Sequence, residues 1–248
     1  MTDQYCRTQL LLGADGLKKL KNSRVAVFGL GGVGGYAVEA LARSGIGQLD
    51  LIDDDVINLT NLNRQVLALH STIGMPKVEA AAMRIRDIDP TILVHTYQTF
   101  YLPETAGEFD FSQYDYVLDA IDTVTGKLEL ITRSKEANVP IISCMGTGNK
   151  LDPTGFRVSD ISKTSGCALA RIMRKECAKR GIKGVKVVWS EELPLEPHVD
   201  PSADPESHRE GSSRRALPGS TAFVPAVAGL IMAGEVIRDL SGCKEADK

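Results

Sequence analysis

Asp53, Arg64, Lys77 and Asp122 have the types and spacing to handle a nucleoside triphosphate. An arginine grips phosphate oxygens in pairs, and a lysine adds a compact charge. Magnesium is held by one or two carboxylates together with phosphate oxygens, a task suited to Asp122 with Asp55 as a helper. The glycines mark where a phosphate would lie. The run Val25-Ala26-Val27-Phe28 leads into Gly29-Leu30-Gly31-Gly32-Val33-Gly34, and a helical pattern follows. Strand, Gly-x-Gly-x-x-Gly and helix in that order form the dinucleotide-binding pattern. In it Gly29 permits a tight turn, Gly31 lets backbone approach phosphate, and Gly34 lets the helix pack on the strand. Gly29, Gly31, Gly32 and Gly34 are candidate nucleotide-binding positions, at a helix N-terminus whose free N–H groups favour an anion.

Asp53 ends the next strand, about twenty residues beyond the glycines, where the pattern expects an acid to accept ribose hydroxyls. Glycines and acid alone would suit NAD. A hydride-transfer enzyme, however, has no use for Asn61, Arg64 and Lys77 aimed at additional phosphates. A nucleotidyl-transfer enzyme must hold the β,γ-pyrophosphate as a leaving group, so the expected ligand is ATP. Each residue also has an ordinary alternative: surface charge for Arg64, an exposed first-turn residue for Lys77, a helix N-cap for Asp122.

The elements that must position these residues alternate along the chain. Apolar periodicity predicts a lead-in helix over 7–21 broken at Gly13, strands at 24–28, 48–52, 92–97, 116–120 and 140–145, and helices at 32–44, 75–87 and 125–138. In an open parallel sheet, ligands lie beyond the carboxyl ends of the strands, which places Asp122 on the same edge as the glycines and Asp53. After Gly146-Thr147-Gly148 the pattern loosens into a strand at 156–159, a basic helix at 168–180 and a strand at 185–190. Residues 191–219, rich in Pro, Ser, Glu and Asp, read as a mobile loop. The apolar helix 223–240 requires burial against the sheet or a second copy of the chain. The expected fold class is α/β, a Rossmann-like doubly wound, mostly parallel sheet with helices on both faces and a C-terminal extension of further strands and helices. One domain over 1–248 is expected, with a nucleotide-binding core at 22–148 and the extension at 149–248.

Composition sets outer bounds. With 248 residues, 43% of them hydrophobic, the chain can bury one large core. A net charge of -3 and a pI near 5.9 give no global attraction to nucleic acid, so DNA is not an expected partner and RNA would need a local basic patch. No uncharged apolar run reaches the roughly 18 residues of a membrane span, and the first residues lack a leader pattern, so a cytoplasmic protein is expected. The five cysteines include no Cys-x-x-Cys pair, which disfavours a disulfide framework and a four-cysteine zinc site. Cys167, before a helix, either has an activated thiol or packs on the sheet.

The strings Asp53-Asp54-Asp55-Val56, Asn61-Leu62-Asn63-Arg64-Gln65, Gly74-Met75-Pro76-Lys77 and Asp119-Ala120-Ile121-Asp122 resemble the ubiquitin-activating-enzyme-like adenylating superfamily. Within it the chain is most similar to the tRNA threonylcarbamoyladenosine dehydratases. That similarity covers nearly the whole chain and includes Arg7-Thr8-Gln9-Leu10-Leu11-Leu12-Gly13, Lys127, Asp152-Pro153-Thr154, Asp160-Ile161-Ser162-Lys163-Thr164 and Pro218-Gly219-Ser220. The resemblance implies that Asp53 binds the ATP ribose, Arg64 and Lys77 the phosphates, and Asp122 the catalytic Mg2+, with Asn61 orienting the triphosphate. It implies that Arg7 reaches the ATP of a neighbouring subunit, which makes a homodimer the working unit. Members that activate sulfur carriers commonly hold zinc in two Cys-x-x-Cys pairs. Their absence favours the dehydratase branch, and structural zinc is not expected.

The implied reaction adenylates the threonyl carboxylate of threonylcarbamoyladenosine in tRNA, releases pyrophosphate, and closes a ring with loss of AMP. A sulfur-relay partner protein and a monovalent cation remain open. For tRNA, the helix 168–180 offers Arg171, Arg174, Lys175 and Lys179, of which Arg171, Lys175 and Lys179 recur at i, i+4 and i+8. The alternative is a solvated helix face. Two rival readings are adenylation of the C-terminal Gly-Gly of a ubiquitin-like sulfur carrier, and a non-catalytic nucleotide-binding scaffold.

Overall fold

The computed structural model describes residues 3–198 and 218–243. Short apolar runs build its sheet: β1 (Arg24–Phe28), β2 (Gln48–Ile52), β3 (Leu93–Tyr97), β4 (Tyr116–Asp119), β5 (Ile141–Cys144), β6 (Phe156–Asp160) and β7 (Lys186–Ser190). The seven strands lie in the order β3-β2-β1-β4-β5-β7-β6, all parallel except β6, which pairs antiparallel with β7. The order reverses between β1 and β4, the switch point at which open α/β sheets bind ligands. Alternate residues serve opposite faces. Val25, Val27, Leu49, Leu51 and Leu118 join one core, and Ala26, Phe28, Ile52 and Val117 join the other. Burial on both faces explains why these strands read as unbroken apolar runs.

The first core is closed by α2 (Gly34–Arg43), α3 (Lys77–Ile88) and α6 (Val224–Ser241). The second is closed by α4 (Val124–Glu136), α5 (Ala168–Lys179) and the rings of Tyr101, Phe109 and Phe111 around Phe28. The lead-in helix α1 (Cys6–Asn22) breaks at Gly13, whose φ of 72° and ψ of 169° only glycine reaches readily. Before the break Leu10 and Leu11 are 85% and 81% exposed, whereas Leu17 and Leu20 after it are buried.

The sheet, its parallel pairing and all six helices match the sequence expectation, with ends shifted by one or two residues. The helix expected from residue 32 starts at Gly34, because Gly32 and Val33 are spent in the turn. Most of the expected mobile stretch, residues 199–217, lies outside the described residues. Its described flanks are tied down. The Glu192 carboxylate accepts the Leu151 and Asp152 amides, Asn149 exchanges two hydrogen bonds with Gly219, and the Leu195 amide donates to the Asn149 carbonyl.

The final helix buries one face across α2 and leaves Leu230 on the other face open to solvent. This crossing needs a bare backbone. A Cβ on Gly229 would fall 2.2 Å from the Val33 carbonyl oxygen. Gly229→Ala is therefore expected to lower stability by about 1–3 kcal/mol through overpacking, read as a lower urea midpoint with unchanged m-value.

Candidate active site

The glycine turn joins β1 to α2, and its glycines are required for different reasons. Gly29 has φ +90°, and a Cβ there would lie 2.7 Å from the Ala120 carbonyl oxygen at the end of β4. A Cβ on Gly34 would overlap the Gly29 carbonyl oxygen at 1.7 Å. Gly31 is the open member: among the described residues, chain neighbours aside, only Gln65 Nε2 comes within 4 Å of its Cβ position, at 4.0 Å. A Cβ on Gly32 would press on Pro225 at the start of α6, at 3.1 Å. No side chain caps the N-terminus of α2, whose dipole faces the turn.

Asp53 braces this turn from the end of β2. Its Oδ2 accepts the Leu30 amide at 2.6 Å, and its Oδ1 accepts the Asp55 amide at 2.9 Å. Lys77, buried at the start of α3, places Nζ 2.7 Å from Asp55 Oδ2 and 3.6 Å from Asp53 Oδ1. The exposed first-turn alternative for Lys77 is thus excluded. Carboxylate oxygens of Asp53, Asp54 and Asp55 also come within 4.8 Å of one another. Asp122 is not part of that group. It is exposed, three residues past β4, and Thr123 rather than Asp122 holds the N-cap position of α4.

Arg64 sits across the α2 N-terminus on the helical turn that follows β2. Its Nη1 donates to the Thr60 carbonyl and to Asn63 Oδ1, each at 2.9 Å. Among the described residues no carboxylate pairs with it, and burial holds its pKa below the ordinary arginine value. A half-buried guanidinium without a counter-ion is no ordinary surface charge. Asn61 is occupied otherwise than expected: its Oδ1 accepts the Asn58 amide at 3.1 Å and caps a 3-10 turn.

Two groups had no role assigned from sequence spacing. Lys127 is fully buried, with Nζ 2.9 Å from Asp119 Oδ1 and 2.7 Å from the Cys144 carbonyl oxygen. Asp119 Oδ2 accepts Ser143 Oγ, and Oδ1 accepts the Ile121 amide. This cluster joins the carboxyl ends of β4 and β5 and steadies the turn that presents Asp122. A lysine on the apolar stripe of helix 125–138, beside Leu130 and Ile131, was the signal available. Gln65 is the second such residue; it is buried beside Gly31 although polar.

The remaining candidates are dispersed. Arg7 is exposed two residues after Tyr5, whose hydroxyl bonds Ala42 and Asp89 at the carboxyl ends of α2 and α3. Those ends lie at the opposite rim of the sheet from the glycine turn. Arg171 and Lys175 are exposed on α5, but the expected basic face needs correction at two positions. Arg174 turns inward, with Nη1 2.6 Å from both the carbonyl oxygen and Oγ1 of Thr164, and Lys179 is paired with Glu176 at 2.6 Å. Cys167 is buried among the α5 contacts, in agreement with packing. A cavity of about 460 Å³ opens between α4 and α5, lined by Leu128, Glu129, Ile172 and Arg180, and the glycine turn does not border it.

A switch-point glycine turn with a ribose-type acid and a phosphate-type arginine that no described carboxylate pairs defines a nucleotide-binding α/β protein. The chain belongs to the ThiF family, whose model matches residues 5–248. It is similar to the tRNA threonylcarbamoyladenosine dehydratase of Bacillus subtilis (strain 168), at 46% identity over 243 residues, covering 97% of this chain and 95% of that one. Its identity to the dehydratase of Escherichia coli (strain K12) is 37% over 201 residues, covering 78% and 75%. The solved structure of an E. coli tRNA N6-threonylcarbamoyladenosine dehydratase in complex with ATP matches with a TM-score of 0.84 at 31% identity, covering 96% of this chain and 94% of that one.

The Lys127 cluster gives a direct test of what holds the site. Lys127→Met leaves Asp119 buried without its cation, and chemical denaturation should show a loss of about 3–5 kcal/mol. A stability equal to that of the unmodified chain would remove the cluster from this role.

Proposed function

We propose that the chain is an ATP-dependent tRNA threonylcarbamoyladenosine dehydratase, working through carboxylate adenylation. The observation that carries this reading is the open Gly31 backbone at the switch point, with Asp53 bonded to the same turn, the Arg64 carbonyl oxygen 3.5 Å from the Cβ position of Gly32, and Asp122 exposed just past β4. Support comes from the names of relatives that match almost end to end. The whole chain is read as one adenylation unit, since β6 and β7 of the C-terminal extension continue the sheet of the core.

In this mechanism ATP lies over Gly29, Gly31, Gly32 and Gly34, with its ribose hydroxyls on Asp53. Asp53 Oδ1 and Oδ2 each accept one backbone amide and keep a lone pair for a hydroxyl. Arg64 and Lys77 hold the β,γ-pyrophosphate as it leaves. Lys77 is held by Asp55 and Asp53 before ATP arrives, so the phosphates must draw its ammonium away from those carboxylates. Asn61 contributes by capping the turn that carries Arg64. Asp122 suits Mg2+: it is a hard oxygen donor, exposed on the switch-point edge, with Asp55 as the second acid. Bound Mg2+ would neutralise charge on the phosphates. The threonyl carboxylate attacks the α-phosphorus and pyrophosphate departs. The carbamoyl group then attacks the activated acyl carbon, loses a proton and expels AMP. The chain's part is positioning and electrostatic stabilisation.

The working unit is proposed as a homodimer. Arg7 lies at the far rim of its own sheet and would serve the site of a second copy, alongside the exposed Leu10 and Leu11. No helix among the described residues is long and apolar enough to cross a membrane, which suits a cytoplasmic place of work. Burial pushes the Cys144 thiol up to about 12 and raises that of Cys177, so neither supplies a ready thiolate for sulfur chemistry.

Purified protein with ATP and Mg2+ is expected to form AMP and pyrophosphate when given tRNA bearing threonylcarbamoyladenosine, and not when given a carrier protein ending in Gly-Gly. Turnover with the carrier alone would replace this reading by sulfur-carrier activation; turnover with neither would leave a scaffold. For the RNA face, the double variant Arg171→Glu, Lys175→Glu should weaken tRNA binding about tenfold or more at physiological salt while ATP binding stays intact. Equal tRNA affinity would place the RNA elsewhere.

A further inference from the structure

Gln65 is only 6% exposed, and its Oε1 has no hydrogen-bond partner among the described residues. Leaving a buried carboxamide oxygen unpaired is costly, whereas leucine or methionine would fill the same space without that cost. Packing therefore gives no reason for an amide here. Its backbone is held on a helical turn, in which its N–H donates to Asn61 and its carbonyl accepts from Ala68. Its other end has a direction. Among the described residues, chain neighbours aside, Nε2 is the heavy atom within 4 Å of the Cβ position of Gly31, at 4.0 Å, and so borders the open side of the glycine turn. A donor faces the backbone position at which a nucleotide phosphate would approach.

We propose that Gln65 is a catalytic residue that donates through Nε2 to a non-bridging oxygen of the α-phosphate. This rests on the adenylation reading above and deepens it by separating two tasks. Arg64 and Lys77 carry full charges suited to the departing pyrophosphate. The α-phosphorus needs something different, since attack there raises the negative charge on its non-bridging oxygens. A neutral donor, largely shielded from water, meets that charge without holding AMP so tightly that release is slowed. Arg64 and Gln65 are consecutive on the same turn, so one element aims both.

The test compares Gln65→Leu and Gln65→Glu with the unmodified chain, using AMP and adenosine as probes, since these differ by the α-phosphate. Gln65→Leu should be at least as stable in urea. It should bind AMP about tenfold more weakly and adenosine equally well, and lower the single-turnover rate of AMP formation about a hundredfold. Gln65→Glu, which turns a carboxylate towards the phosphate, should weaken AMP further, again sparing adenosine. Unchanged AMP affinity in Gln65→Leu overturns the proposal, as does an equal loss for AMP and adenosine. Failure of the unmodified chain to turn over modified tRNA would count against the proposed substrate, while the AMP and adenosine comparison would still decide the role of Gln65.

Discussion

The site depends on backbone segments that meet more closely than side chains would allow. Gly29 presses on the end of β4, Gly34 folds back on Gly29, and Gly229 brings α6 onto the first turn of α2. These contacts put the α2 N-terminus, the end of β2 and the turn after β4 around one small volume. Asp53 then locks the arrangement by accepting the Leu30 amide within the turn. A methyl group at Gly29, Gly34 or Gly229 would separate elements that chemistry needs together. Gly31 contrasts with them, because its open side faces outward and leaves room for a ligand.

The charges around this volume are in two different states. Lys77 is buried but compensated by Asp53 and Asp55, so its ammonium is stable without ligand. Arg64 is partly desolvated and has neutral partners only, among the described residues. A phosphate gains more from Arg64, because it supplies a counter-charge that no described residue does. Lys77 must exchange one set of oxygens for another, which costs little if ribose and metal take over the released carboxylates. The Lys127 pair with Asp119 belongs to neither state. It is fully buried, shared with Ser143 and Cys144, and fixes the ends of β4 and β5 rather than binding anything.

Much of this was legible in the sequence because it is local. Parallel strands buried on both faces leave unbroken apolar runs, and glycines that a backbone contact demands leave a fixed spacing, so the sheet and turn could be read directly. Lys77 and Asp53 could be placed because strand ends and helix starts were. Side-chain direction could not be read this way. Arg174 falls between the stripe positions Arg171 and Lys175 along the helix, yet it turns inward because Thr164, in the turn just before the helix, offers two acceptors. Asn61 looked like a phosphate ligand but caps its own turn, which asparagine does well wherever a free amide is nearby. Gln65 and Lys127 were hidden for the opposite reason: a polar residue on an apolar stripe looks like noise until its neighbours from other elements are known.

The same geometry constrains how an RNA would meet the site on the proposed function. α5 runs antiparallel to the parallel strands, and its start adjoins Gly146 beyond β5, where a Cβ would lie 3.6 Å from Cys167 Sγ. Arg171 is therefore near the catalytic rim, with Lys175 one turn further from it. Lys179 and Arg180 share Glu176 at the far end, so positive charge free to meet phosphate is concentrated towards the rim. An acidic chain with a net charge of -3 cannot draw tRNA by its overall field, and among the described residues this local gradient is suited to orient one. It would bring the backbone in along α5 and leave the modified nucleotide to enter at the carboxyl ends of β4 and β5, beside Asp122 and the glycine turn.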